Sequence, residues 1–106
     1  MSDQVRASHI LLMYQGSERS TASRSKDEAS THIADLQKQI ADGGDFAELA
    51  RANSDCPSGR SGGDLGSFGR GQMVPEFEQA AFNMAVSDVS GVVETAFGYH
   101  LIKRTG

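Results

Sequence analysis

Cysteine, proline and tryptophan are scarce in this chain of 106 residues, which has one cysteine, two prolines and no tryptophan. A single cysteine excludes an intramolecular disulfide, so the fold does not require an oxidising compartment. No apolar run approaches the length of a membrane span, and the first residues do not resemble a signal peptide. We therefore expect a cytoplasmic protein with no membrane partner.

The chain also lacks a dominant charge. It has 10 basic and 14 acidic residues, a formal net charge of −4, and the two signs are scattered along the sequence. A general nucleic-acid binder would have a basic stripe or basic residues alternating with aromatic ones. We therefore expect no nucleic-acid partner.

The apolar periodicity predicts one α+β domain over residues 1–106, with residues 1–4 as a short N-terminal extension. Ser25 and Glu28 have the spacing of a capping box, Asp45 is suited to cap a second helix, and Pro75 suits the first turn of a third. The predicted strands are 5–13, 92–95 and 99–103, and the predicted helices follow Ser25, Asp45 and Pro75.

Two histidines stand in short apolar stretches at opposite ends of the chain, His9 in the first strand and His100 in the last. Isolated histidines in apolar strands are unfavourable unless their ring nitrogens find partners. If the two strands pair, the histidines can satisfy each other. Together with His32 and Cys56 they lack the paired spacing of metal ligands, so we expect no metal site.

Two further interpretations of the middle of the chain stay open on spacing alone. Cys56 could act as a nucleophile with a histidine and Asp55 or Asp64, although Pro57 removes the next backbone donor. The alternative is a small buried thiol. The glycine-rich segment that follows lacks the pattern of a phosphate-binding loop. Its apolar side chains either pack into the core or form a binding patch; they are Leu65, Phe68, Met73 and Phe77.

Several stretches, in this order, resemble the parvulin family of peptidyl-prolyl cis–trans isomerases over nearly the whole chain. No single stretch is specific, but the combination is. They are Ala7–Leu12, Asp45–Ala50, Ser54–Cys56, Gly62–Gly66, Phe68 with Gly71–Pro75 and Phe77, and Phe97–Lys103.

The resemblance implies an FKBP-like, parvulin fold, a four-stranded antiparallel sheet flanked by about four helices, with a fourth strand near Leu65–Gly69. It also implies an enzyme that isomerises X–Pro bonds in polypeptide segments and assists folding, as a monomer without a cofactor. The alternative is a non-catalytic module that binds proline-containing peptides in the same groove.

The resemblance also implies the site residues. Leu65, Met73 and Phe77 would form the proline pocket, with Phe68 and Gln72 nearby. The expected catalytic set is His9 and His100 on the floor of the site, Thr95 bonded to one of them, Cys56 near the substrate carbonyl, and Asp55 in support.

Substrate choice is implied by a departure from the family pattern. Members that prefer phosphoserine or phosphothreonine before proline carry a lysine four residues past the first histidine, followed by paired arginines. Here these positions hold Met13 and Glu18, and only Arg19 is left for a phosphate or acidic group. Phe97 replaces a serine of those members and resembles bacterial single-domain members. We therefore expect unphosphorylated X–Pro segments to be substrates.

Overall fold

The computed structural model describes residues 4–17, 20 and 22–106. They form four strands, three α-helices and one 3-10 helix. In chain order these are β1 (Gln4–Leu12), α1 (Lys26–Ala41), α2 (Phe46–Asn53), the 3-10 helix (Pro57–Ser61), β2 (Asp64–Gly69), α3 (Pro75–Asn83), β3 (Val93–Thr95) and β4 (Gly98–Arg104).

The strands form one antiparallel sheet in the order β2-β1-β4-β3. The two ends of the chain therefore meet at its centre, where β1 pairs with β4 from Ala7 opposite Arg104 to Leu12 opposite Tyr99. This confirms the predicted α+β class and the fourth strand. β1 begins one residue before the predicted strand, because Gln4 pairs with Gly69 and is not part of an extension.

The first two helices cover one face of the sheet. The predicted capping box is confirmed: the Ser25 hydroxyl accepts from the Glu28 backbone N–H and the Glu28 carboxylate from that of Ser25. The buried stripe of α1 includes Ile33 and Leu36, which pack with Ile10 of β1. Asp45 caps α2 by accepting from the Glu48 N–H, as predicted.

The third helix covers the opposite face, where Phe77 and Ala81 pack with Val5, Ala7 and Ile102. The glycine-rich segment between α2 and α3 forms the 3-10 helix and then β2. The described residues thus form three α-helices and one 3-10 helix, which agrees with the expected number of about four helices. Pro57 and the glycines around it explain the short helix, since they favour turns over a longer helical run.

Gly63 fixes the position of the first histidine. Its backbone lies in the left-handed region, with φ +86°, and its carbonyl accepts the His9 N–H at 2.9 Å. A Cβ at this position would lie 2.3 Å from the His9 carbonyl oxygen. Only glycine allows β1 and the glycine-rich segment to approach this closely.

Candidate active site

A largely apolar cavity of about 430 Å³ opens on the α3 side of the sheet. Residues 9, 11 and 13 line it, because alternate residues of a strand point to the same face. Its volume and apolar walls suit a compact apolar group. The lining residues are His9, Leu11, Met13, Cys56, Pro57, Leu65, Gln72, Met73, Val74, Phe77, Phe97 and His100.

The two histidines meet at the base of this cavity. Their Nδ1 atoms are 3.1 Å apart, and His100 Nε2 is 2.7 Å from the Thr95 hydroxyl oxygen. That oxygen also accepts the Phe97 backbone N–H at 3.2 Å. His9, His100 and Thr95 are all buried. The expected contacts between the histidines, and between Thr95 and one of them, are confirmed.

Both histidines are neutral at pH 7. Burial, and then the neighbouring His100, lowers the pKa of His9 to about 3. Burial lowers the pKa of His100 to about 4. Because each neutral ring has one N–H, one Nδ1 donates to the other. The pair forms a polar but uncharged floor.

Phe77 holds the histidine rings between the sheet and α3. Its ring lies edge-on to both imidazoles, with centroid distances of 5.5 Å to His9 and 5.6 Å to His100. His9 Nε2 is buried without a hydrogen-bond partner among the residues that the structure describes. Such a nitrogen destabilises the fold in an apolar environment. Buried polar groups without a partner are rare in native proteins, and a catalytic role is one reason for their presence.

Cys56 lies half-buried at the rim of the cavity, where it precedes the 3-10 helix. Its sulfur accepts a hydrogen bond from the Ser58 hydroxyl at 3.2 Å. In the described part of the chain neither histidine is hydrogen-bonded to it. The arrangement lacks the adjacent base that activates a nucleophilic cysteine, so it favours a polar contact over covalent catalysis.

Asp55 does not line the cavity, although it was expected to support catalysis. Its carboxylate accepts the Met13 N–H at 2.9 Å and pairs with the Arg24 guanidinium. Its own N–H donates to the Leu11 carbonyl at 2.7 Å. Through these contacts Asp55 connects Met13 and Arg24, at the two ends of the loop after β1, to the segment next to Cys56.

Four of the five residues expected to bind substrate line the cavity: Leu65, Gln72, Met73 and Phe77. Phe68 does not. It is buried behind Phe77, at a ring distance of 5.9 Å. The register of the sheet explains this position, since Phe68 pairs with Val5, four residues before His9 in β1, and packs against α3.

Five lining residues were not assigned to the site from the sequence: Leu11, Met13, Pro57, Val74 and Phe97. The alternation of β1 could have identified the first two, because they share the face of His9. Pro57, Val74 and Phe97 follow or precede assigned residues, but only the fold decides which neighbour faces the cavity.

The described cations around the loop after β1, Arg24 and Lys26, have acidic partners. Arg24 pairs with Asp55, and Lys26 Nζ lies 2.9 Å from Glu94. The hydrogen bond from Lys26 lowers the pKa of Glu94. Glu18 and Arg19 lie outside the described residues. The expected contact of Arg19 with a phosphate or acidic group of the substrate therefore stays a prediction.

Neither a metal cluster nor a membrane-spanning helix is found in the described ranges. No group of three or more histidine, cysteine, aspartate or glutamate side chains is placed to hold a metal ion there. No helix among these residues has the length and apolar character needed to cross a bilayer.

Comparison with known proteins identifies the family. The pattern of the PPIC-type PPIASE domain matches residues 1–106. The peptidyl-prolyl cis-trans isomerase Pin1 of Digitalis lanata is 41% identical over 99% of this chain and 98% of its own length. Pin1 of Arabidopsis thaliana is 42% identical over 97% of this chain and 96% of its own.

A solved structure agrees with both sequence comparisons. The peptidyl-prolyl isomerase ESS1 from Candida albicans superimposes with a TM-score of 0.92 and 40% identity. The match covers 98% of this chain and 63% of that one. The chain belongs to the PPIC-type, or parvulin, family of peptidyl-prolyl cis–trans isomerases, enzymes that accelerate rotation about the peptide bond before proline.

Proposed function

We propose that the cavity over the histidine pair is the site where X–Pro bonds of polypeptides are isomerised, with unphosphorylated segments accepted as substrates. The observation that carries this proposal is an apolar cavity whose floor is a buried, neutral histidine pair. Rotation about an X–Pro bond breaks no covalent bond, but the barrier makes spontaneous exchange take tens to hundreds of seconds. A catalyst therefore needs only to bind the twisted amide better than the planar one.

The apolar walls would hold the proline ring. Leu65, Met73 and Phe77 would contact the pyrrolidine, which leaves the preceding carbonyl at the rim near Cys56. In the twisted amide the conjugation between nitrogen and carbonyl is lost, so the two atoms interact with their surroundings differently from the planar form. An apolar pocket that excludes water and a polar Cys56 at the rim would favour this form.

The histidines would act through the shape of the site. Both rings are buried and uncharged at pH 7, so neither histidine interacts with the substrate as a cation. The chain of contacts from Thr95 through His100 to His9 would fix the base of the cavity and the orientation of Phe77. We assign His9, His100 and Thr95 as positioning residues on this ground.

Acceptance of unphosphorylated substrates is supported by the pairing of charges. A phosphate before proline is best bound by clustered cations. Arg24 and Lys26, the described cations at this loop, are each engaged by a carboxylate. Met13, at the position of the family's lysine, adds an apolar side chain to the cavity.

Exchange NMR on three matched peptides tests the proposal. The peptides carry Ala–Pro, Glu–Pro or phosphoserine–Pro in one sequence context, and kcat/KM is compared. We expect measurable catalysis of all three, with a phosphoserine preference below about a hundredfold. A larger preference would overturn the assignment of substrate. Saturable peptide binding without faster exchange would instead indicate the non-catalytic binding module.

We also propose that the chain acts as one domain, as a monomer and in the cytoplasm. The support is that one copy of the chain supplies all residues around the cavity, and that the single cysteine makes no internal disulfide. Scattered charge argues against nucleic acid as a partner. Light scattering coupled to size-exclusion chromatography would test the monomer, and a mass of twice 11.3 kDa would contradict it.

A further inference from the structure

A second cavity, of about 450 Å³, lies on the other face of the sheet from the active site. Ser8 and Lys103 contribute to it from β1 and β4, and the start of α2 forms a wall. His9 lines the active site, so its neighbour Ser8 faces the opposite way. We call this space the rear cavity. The isomerase mechanism uses none of its residues.

Ser8 is the first sign of a ligand site in the rear cavity. The residue is only 9% exposed, and its hydroxyl makes no hydrogen bond to another described residue. The hydroxyl oxygen is not enclosed, however, because His9 Nε2 is the one fully buried side-chain polar atom without a partner in the described part of the chain. The Ser8 oxygen therefore faces the open space of the cavity, where it can bind a group that enters.

Lys103 supplies a positive charge next to this hydroxyl. It is the cross-strand partner of Ser8, so the two side chains stand beside each other on the same face. Lys103 is half-buried, and within the described ranges its ammonium group has no carboxylate at salt-bridge distance. Lys103 and Ser8 thus contribute an ammonium group and a hydroxyl to the same cavity.

Further donors surround the same space. Ser87 and Thr105, which both carry hydroxyls, also line the cavity, and both residues are exposed. Ser87 has a left-handed backbone with φ +81°, which is uncommon for a residue other than glycine. The first N–H groups of α2 have no acceptor within the helix and lie in the same wall.

One acidic side chain opposes a negatively charged ligand. Asp45 lines the rear cavity and caps α2, where its carboxylate accepts the Glu48 N–H at 3.2 Å. Its charge offsets the positive end of the helix, so the helix alone would not attract an anion. The attraction for an anion must therefore come from Lys103 and the hydroxyls, and the negative charge of Asp45 must lower the affinity of the cavity for the anion.

We propose that the rear cavity binds a small oxyanion, the group that phosphate and carboxylates share. Lys103 provides the charge, and the hydroxyls of Ser8, Ser87 and Thr105 donate hydrogen bonds. An oxyanion accepts several hydrogen bonds at once, which suits a cavity lined by donor residues from different elements. The site does not depend on the isomerase function and is separated from the active site by the sheet.

Titration of the ¹⁵N-labelled chain with inorganic phosphate tests the site, with acetate and chloride as parallel arms at constant ionic strength. We expect saturable shifts of the Ser8, Ala47 and Lys103 amides with phosphate. Acetate that gives the same shifts would mark a general oxyanion site, and acetate that gives none would mark a phosphate site. Equal shifts in chloride would contradict the proposal.

Two substitutions with opposite expected effects make the test specific. Lys103→Gln should weaken phosphate binding about fivefold or more, and Asp45→Asn, which retains a good helix cap, should strengthen it by a similar factor. Lys38→Gln, at an exposed position of α1, serves as the control and should change nothing. All three variants should retain isomerase activity. Unchanged affinity in both Lys103→Gln and Asp45→Asn would overturn the proposal.

Discussion

His9 and His100 are in contact through their Nδ1 atoms at 3.1 Å although 91 positions separate them in the chain. The register of β1 and β4 produces this contact. His9 pairs with Ile102, so His100 is its diagonal neighbour on the same face of the sheet. Diagonal neighbours in an antiparallel pair lie within reach of ring side chains. Any slip of one residue would send one histidine to the opposite face.

The buried histidines make stability depend on pH. Their folded pKa values, about 3 and about 4, lie below the ordinary value of 6.5, so the unfolded chain binds protons first. The stability they contribute is fully present above about pH 6.5 and falls as the pH drops toward 4. Between pH 6 and 5 we expect a loss that approaches about 1.4 kcal/mol per pH unit for each histidine.

Urea unfolding at a series of pH values measures this slope. The control is His32→Gln on α1, which removes a histidine outside the active site and leaves the buried pair in place. The carboxylates whose pKa is lowered, such as Asp64 and Glu94, lose their contributions at lower pH and do not mimic the effect. Constant stability between pH 6 and 5 would contradict the neutral, buried pair.

Truncation of Met73 should reduce catalysis more than stability. Met73 is half-buried and lines the cavity, so Met73→Ala should remove the proposed contacts to proline while most of the core remains. We expect kcat/KM to fall about tenfold or more, equivalent to about 1.4 kcal/mol of lost transition-state binding. Met84→Ala is the matched control, because Met84 packs at the end of α3 outside the cavity.

Exchange NMR gives kcat/KM for both methionine variants, and urea unfolding gives their stabilities. Equal losses of activity in Met73→Ala and Met84→Ala would mean that the cavity does not bind the substrate. Phe77→Ala is less informative, since Phe77 is 3% exposed and its removal should destabilise the fold by about 3–5 kcal/mol.

Replacement of Cys56 distinguishes a polar contact from a nucleophile. The cysteine sulfur has Ser58 as its hydrogen-bond partner and no histidine. If Cys56 acts by polarity, Cys56→Asp should retain more activity than Cys56→Ala. A required thiolate would make both variants equally inactive. The measurement is kcat/KM on the Ala–Pro peptide, with Cys56→Ser as the variant closest in size.

Two glycines with similar φ angles should differ sharply in stability when each is replaced by alanine. Gly63 and Gly66 have φ of +86° and +72°. A Cβ at Gly63 would lie 2.3 Å from the His9 carbonyl oxygen, whereas nothing lies within 4 Å at Gly66. Gly66→Ala should cost about 1–2 kcal/mol, the penalty of the left-handed backbone alone.

Gly63→Ala should cost clearly more, because β1 and the glycine-rich segment must also separate. His9 would then shift, so we expect activity to fall together with stability. Urea unfolding and the peptide assay compare the two variants. Similar losses of stability at both positions would mean that the close approach of Gly63 to His9 has no energetic importance.

Local signals in the sequence identified most of the helices and strands. The capping box at Ser25, the Asp45 cap and the alternation in β1 involve residues close together in the chain, and each has a direct physical cause. The combination of family stretches then indicated the fold, the isomerase family and four residues, expected to bind substrate, that line the cavity. The 3-10 helix was not predicted, because short helices in glycine-rich segments depend on their neighbours.

The roles of particular side chains at the site depended on contacts between distant segments. Asp55 and Phe68 were expected at the site from their positions in the family pattern. In the structure Asp55 binds Met13 and Arg24, and Phe68 lies behind Phe77. Neither outcome could be read from the sequence, because each depends on sheet register and on which loop packs beside it.

The sequence by itself determined the elements, the family and the presence of two histidines suited to meet, because these follow from residue type and short-range spacing. The tertiary structure decided that the histidines are buried and neutral, that Arg24 and Lys26 are paired with carboxylates, and that Ser8 and Lys103 share a second cavity. The burial of a side chain and the pairing of its charge depend on how distant segments pack together. They therefore cannot be derived from the position of a residue in the sequence alone.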